Sequence, residues 1–278
     1  MGVQMKKLLI FNILCTALIF SCSYFSNEGT VRTRATAMTK RNAGLESLGG
    51  TYTVAIITDV HFGKGSDRSI DSAFMAWLEE CDAMSKLPQF IICLGDVAEH
   101  GYRDEFEAYN QFCKKIEAQF PTIKIFNTLG NHDLYNKGWK HWKELIAPYT
   151  PLYYFKTSSF SWYFLDTADG TVGVPQYDVV SRAYAEDDSP KIVCVHNPLH
   201  ADASLASYMH DSTTRNLLIS LFARSNVLAV LEGHTHNYAQ NDFGFIEYNV
   251  PGYLEKRTWA LATVDEANAS IQFELVSQ

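Results

Sequence analysis

Five apolar, β-branched runs in this chain each end in side chains that can bind a metal ion, and no other feature constrains the fold as much. The runs cover residues 52–58, 90–94, 123–127, 192–195 and 227–231. In order, they lead into Asp59-Val60-His61, Gly95-Asp96, Gly130-Asn131-His132-Asp133, His196, and Gly233-His234-Thr235-His236. Short continuous apolar runs read as strands buried on both faces. In open α/β sheets, functional groups gather beyond the carboxyl ends of such strands. Five of the nine histidines fall in these endings, so the pattern predicts one sheet edge crowded with imidazole and carboxylate.

The segments between the runs supply the rest of the architecture. Helical spacing covers 70–86, through Ile70, Phe74, Trp77, Leu78 and Cys81, and returns over 104–119 and 213–223. Alternation of strand and helix predicts a sheet flanked by helices. A further strand is expected at 160–165, and the closing runs 243–250, 258–264 and 271–276, joined by short turns, predict antiparallel hairpins. With 278 residues, 47% of them apolar, the chain can bury the core of one large layered domain. Its formal charge of -8 argues against tracking along nucleic acid or an anionic membrane surface.

The N-terminus has a different character. Lys6 and Lys7 precede an apolar stretch over 8–20 that is too short for a comfortable membrane span, so residues 1–21 read as a secretory signal. Leu18-Ile19-Phe20-Ser21-Cys22 resembles a bacterial lipobox, which implies export and a lipid on Cys22 anchoring the protein to the cell envelope; simple secretion after cleavage is the alternative. Residues 22–50, rich in small polar side chains, read as a flexible tether, with the folded domain spanning 51–278. Cys93 and Cys194 lie inside strand runs as small hydrophobes, Cys81 and Cys113 lie on helical patterns, and no CxxC zinc spacing occurs.

The ordered set D-x-H, G-D, G-N-H-D, H and G-H-x-H, spread from Thr51 to about Val276, resembles the calcineurin-like metallophosphoesterases. The resemblance implies a four-layer αββα sandwich with mixed β-sheets and a centre of two metal ions, iron, manganese or zinc. It assigns one ion to Asp59, His61, Asp96 and His236. The other goes to Asp96, Asn131, His196 and His234, with Asp96 bridging. Such a pair lowers the pKa of a bridging water and clamps phosphoryl oxygens for in-line attack on a small phosphoester. His132 is then the general acid at the leaving oxygen. Asp133 either orients its ring or caps the following turn. Asp166 either supports a ligand histidine or closes a turn, and His200 either lines the pocket or sits in an ordinary loop. Gly63-Lys64-Gly65-Ser66 lacks the Walker spacing and reads as a turn. The Trp and Tyr residues over 139–163 either wall a cleft or fill the core.

Glu99 stands where purple acid phosphatases are expected to carry a tyrosine ligand, which points away from that branch. The compact spacing is closer to phosphodiesterases similar to the class III cyclic-nucleotide enzymes. A phosphomonoesterase and a non-catalytic binding scaffold are the competing readings.

Overall fold

The computed structural model describes residues 29–65, 70–200 and 208–277. Residues 1–28, which hold the expected signal and Cys22, lie outside the described residues. Two sheets form the centre. The first has five strands in the order β12-β11-β2-β3-β4, with β2 at Thr51–Ile57, β3 at Phe90–Cys93, β4 at Lys124–Asn127, β11 at Thr258–Asp265 and β12 at Ser270–Ser277. The second has seven in the order β1-β5-β6-β7-β8-β10-β9. These are β1 (Thr39–Lys40), β5 (Tyr153–Lys156), β6 (Ser161–Phe164), β7 (Lys191–Cys194), β8 (Val227–Glu232), β9 (Ala239–Asp242) and β10 (Ile246–Asn249). Both sheets mix parallel and antiparallel pairs: β2 runs parallel to β3 and antiparallel to β11, while β7 runs parallel to both β6 and β8.

The period of two in a strand explains why the central runs are largely apolar at successive positions. Val54 and Ile56 of β2 face the inter-sheet core with Phe90, Ile92, Trp162, Ile192 and Leu231. Their neighbours Ala55 and Ile57 face the helices Ile70–Ala83 and Arg103–Gln119, packing with Phe74, Leu78, Phe106 and Phe112. In the second sheet, Ile192 and Cys194 point inward, whereas Val193 and Val195 meet Val180, Tyr184, Leu218 and Phe222 of the helices Gly173–Ala185 and Ser212–Arg224. Every central strand is covered on both faces, giving the expected αββα layering. Aromatic pairs fill the seam, with Phe90 edge-on to Trp162 at 5.0 Å between centroids and Phe126 stacked on Phe155 at 4.2 Å. Trp142, Tyr153, Trp162 and Tyr163 are therefore core and not cleft walls.

Two sequence expectations are corrected. The closing runs do not form one antiparallel set: β11 and β12 pair as a hairpin, but only 246–249 of the run 243–250 is strand, and it lies parallel to β8 in the other sheet. Asp242 Oδ1 accepts from Gly244 N, and Gly244 at φ +83° turns the chain between β9 and β10.

Nor is the segment before Thr51 a free tether. Residues 31–34 form a helical turn, β1 pairs in parallel with β5, and Ala43 and Leu45 enter the inter-sheet core. Arg34 is buried and grips Asp166 with Nε at 2.9 Å and Nη2 at 3.1 Å, adding Asp169 at 3.2 Å. A few buried apolar side chains, Val31, Ala35, Ala43 and Leu45, act together with one bidentate ion pair and strand bonds to hold the segment, and composition does not reveal the pairings.

Candidate metal centre

The carboxyl ends of β2, β3 and β4 in one sheet and of β7 and β8 in the other open onto the same spot. Close backbone approach makes this possible. A side-chain carbon on Gly130 would lie 2.1 Å from Asp96 N, and one on Gly233 would lie 2.1 Å from Thr58 Oγ1, so only glycine lets these loops touch. The ligand-type residues adopt a costly conformation: Asp59, His61, Asp96, His234 and His236 all have φ between 45° and 68°. Left-handed backbone at non-glycine residues costs about 1–3 kcal/mol each and persists where surrounding bonds enforce it, commonly at functional sites.

Those bonds are identifiable. Asp59 Oδ2 accepts from Thr58 Oγ1 at 2.7 Å and His234 N at 3.0 Å, leaving Oδ1 facing His236 Nε2 at 3.2 Å and His61 Nε2 at 3.9 Å. Asp96 Oδ1 accepts from His132 N at 2.8 Å, leaving Oδ2 facing His196 Nε2 at 3.4 Å and His61 Nε2 at 3.9 Å. One oxygen of each carboxylate fixes the side chain, and the other points into the cluster.

The imidazoles are prepared in the same way. His196 Nδ1 donates to Leu94 O at 2.7 Å, so Nε2 is the nitrogen turned into the cluster, 3.0 Å from Asn131 Oδ1. His61 Nδ1 meets Glu99 Oε2 at 2.8 Å, and His236 Nδ1 meets Glu255 Oε2 at 3.2 Å. Such outer partners set tautomer and ring orientation for metal binding. Donor atoms within 4.8 Å of one another form three overlapping groups: Asp59, His61 and His236 on one side, Asp96, His196 and His234 on the other, and His61, Asp96 and His132 joining them. Asn131 adjoins the second trio through His196.

The donor chemistry fits a pair of cations. His61 Nε2 and His236 Nε2 face each other at 3.4 Å, an arrangement that needs a proton or a metal ion between or beside them. Burial drives the Asp59 and Asp96 carboxyls up, yet the imidazoles around them outweigh it, lowering Asp96 and holding Asp59 well below the usual carboxylate range. Burial likewise lowers His196, but Asp96 more than compensates and raises it to about 9. His236, hydrogen-bonded to Asp59, also rises to about 9. Nitrogen and oxygen donors without thiolate suit first-row divalent ions. Cys93 and Cys194 stay in the strands, where burial pushes their thiols up.

His132 sits at the rim, partly exposed, its ring edge-on to His61 at 4.8 Å between centroids. Its Nδ1 donates to the Glu99 carbonyl at 2.7 Å, which turns Nε2 away from the backbone. Asp133 does not orient that ring: its Oδ1 accepts from Ala98 N and its Oδ2 from Gly130 N, both at 2.9 Å. It clamps the β3 and β4 loops together, and burial beside Asp96 raises its pKa to about 8. Asp166 binds Arg34, and the neighbouring Thr167 Oγ1 accepts from His196 N at 3.1 Å and Asn197 N at 2.8 Å. His200 lies beside Phe243, with its backbone N–H on Glu247. The roles of Glu99 and Glu255 were not legible: the sequence marked Glu99 only as a replaced tyrosine and Glu255 not at all, and only the fold brings them to the far nitrogens of His61 and His236.

Comparison with known proteins identifies the family and the fold. The calcineurin-like phosphoesterase family profile covers residues 52–238. A sequence search of curated proteins found no match. Among solved structures, a dimetal phosphatase from Danio rerio superposes with a TM-score of 0.60 at 15% identity, over 78% of this chain and 94% of that one. Purple acid phosphatase PPD1 from yellow lupin seeds gives 0.57 at 14%, over 82% of this chain and 54% of that one. GAP50, the anchor in the inner membrane complex of Plasmodium, gives 0.54 at 13%, over 82% and 85%. At these identities the likenesses speak for the fold, and the profile speaks for the ancestry: the chain belongs to the calcineurin-like phosphoesterase family.

Proposed function

We propose that this chain is a metal-dependent hydrolase of phosphoesters that prefers diesters. The observation that carries the reading is the three overlapping donor groups, Asp59 with His61 and His236, His61 with Asp96 and His132, and Asp96 with His196 and His234, in which Asp96 is shared. Asp59, His61, Asp96 and His236 would hold one ion, and Asp96, Asn131, His196 and His234 the other. When bound, the two ions supply Lewis acidity to the phosphoryl oxygens and to water. The chain itself contributes orientation and a proton. His132, held through Nδ1 by the Glu99 carbonyl, offers Nε2–H to the departing oxygen.

Charge supports the diester preference. The ion-pair partners of Asp59 and Asp96 are the imidazoles of His61, His196 and His236. Glu99 and Glu255 add negative charge directly behind His61 and His236, and Lys64 is paired to Glu255 at 3.8 Å. These carboxylates offset part of the positive charge the bound ions supply, which weakens the hold on a doubly charged monoester more than on a singly charged diester. The test is metal analysis with turnover of mono- and diester panels. Bis(p-nitrophenyl) phosphate should be hydrolysed, inhibited by chelator and restored by manganese or iron. A folded, metal-loaded protein inert to every phosphoester would instead support a binding scaffold. We further propose that the protein is exported and held to the bacterial envelope through a lipid on Cys22, with the acidic body facing small-molecule substrates and not nucleic acid.

A further inference from the structure

The turn that carries His132 continues into an aromatic side chain that the core does not use. Residues 132–137 begin as a 3-10 turn, but Tyr135 breaks it with φ -60° and ψ 153°, and Asn136 and Lys137 follow in the left-handed region at φ 49° and 66°. Two successive non-glycine residues in that region are disfavoured by their own side chains, so neighbouring contacts must enforce the bend. Asn136 Nδ2 donates to His100 O at 2.9 Å, and Gly138 N donates to Tyr135 O at 2.7 Å. Gly101 allows the approach, since a side-chain carbon there would lie 2.2 Å from Tyr135 O.

The bend leaves Tyr135 46% exposed while setting its ring 4.6 Å from that of His132 between centroids, tilted by 42°. Its hydroxyl accepts from Asn131 Nδ2 at 3.3 Å, which ties the ring to a ligand-type residue. Tyr153 and Tyr163, by contrast, are buried and stacked on core rings.

Resting on the phosphoesterase reading above, we propose that Tyr135 is a platform for the leaving group and that the substrates are esters whose departing alcohol carries a planar aromatic ring. His132 serves the departing oxygen, so the ring fixed beside it lies on the same side of phosphorus. A planar group gains by stacking on tyrosine what a saturated ring of similar size does not.

The experiment measures inhibition of bis(p-nitrophenyl) phosphate hydrolysis, in metal-loaded protein, by dibenzyl phosphate and by bis(cyclohexylmethyl) phosphate. The two carry equal charge, and the saturated ester is the more hydrophobic, so general burial favours it while stacking favours the benzyl ester. The wild type should bind the benzyl ester about tenfold more tightly. Tyr135→Phe should keep that ratio, and Tyr135→Leu should bring it to about one or reverse it. An unchanged ratio in Tyr135→Leu, or no preference in the wild type, overturns the platform. If bis(p-nitrophenyl) phosphate is not hydrolysed at all, the diester reading fails on its own. Calorimetric affinities of the same pair for wild type and Tyr135→Leu then decide the platform by the same ratios.

Discussion

Replacing Arg34 with alanine removes the group that neutralises Asp166, a carboxylate with no solvent access. The guanidinium makes two bonds to Asp166, at 2.9 and 3.1 Å, and a third contact with Asp169, which is 31% exposed. The Asp169 contact contributes little, because water screens it. Leaving a buried ion without its partner costs about 3–5 kcal/mol, against a total stability of about 5–15 kcal/mol for a domain. With about 2–4 °C lost per kcal/mol in a chain of this size, the melting temperature should fall by roughly 10 °C. Thermal and urea unfolding of chelator-treated Arg34→Ala protein is the assay, since bound ions would mask the loss. A double-mutant cycle with Asp166→Asn should show strong coupling. A chain beginning at Thr51 loses Arg34 together with β1, Ala43 and Leu45, and should be less stable still. If Arg34→Ala unfolds within about 1 kcal/mol of wild type, residues 29–50 are not seated on the domain and the reasoning fails.

Asp96→Asn removes the charge assigned to both ions, and elemental analysis should find both sites depleted; two ions per folded chain would reject the bridging role. His132→Ala should retain metal and lose turnover by roughly 10²–10⁴, with a smaller loss for nitrophenyl leaving groups, which need no proton; equal losses would reject the general acid. In metal-free protein His196 and His236 titrate near 9, above the roughly 6.5 of an unfolded histidine. Their protonation therefore stabilises the fold fully below about pH 6.5, and the contribution is lost as pH rises through about 9. The unfolding midpoint of chelator-treated protein should drop across that window, while metal affinity rises because bound rings must be deprotonated; a flat profile would contradict the environment described for both rings. Cys22→Ser should move the protein out of the detergent-requiring membrane fraction, and unchanged fractionation would argue for secretion without a lipid.

The fold class was legible, and so was the gathering of Asp59, His61, Asp96, Asn131, His196, His234 and His236 beyond strand ends, because both are written locally. A strand covered on two faces must be apolar at every position, and the residues that follow it are presented at its carboxyl end whatever packs elsewhere. Asp59, Asp96 and His196 could thus be placed at strand ends before any contact was known, but the sequence suggested one sheet edge where the structure brings the edges of two sheets together. Pairwise contacts between distant segments were not legible. His132 and Asp133 are adjacent in sequence, which suggests a dyad, yet the carboxylate caps Ala98 and Gly130 while a backbone carbonyl from residue 99 holds the ring. Glu99, three residues past Asp96, carries no motif; it reaches His61 because β2 and β3 are parallel neighbours whose ends stay in register. Arg34 looks like part of a polar leader until Asp166, 132 residues away, meets it. The strand 246–249 reads like its hairpin neighbours but joins β8, because the sheet it completes is chosen by the faces left open after the others have packed. Backbone periodicity is set by near neighbours along the chain, whereas the partner of a buried charge or a sheet edge is set by the packing that excludes water from it.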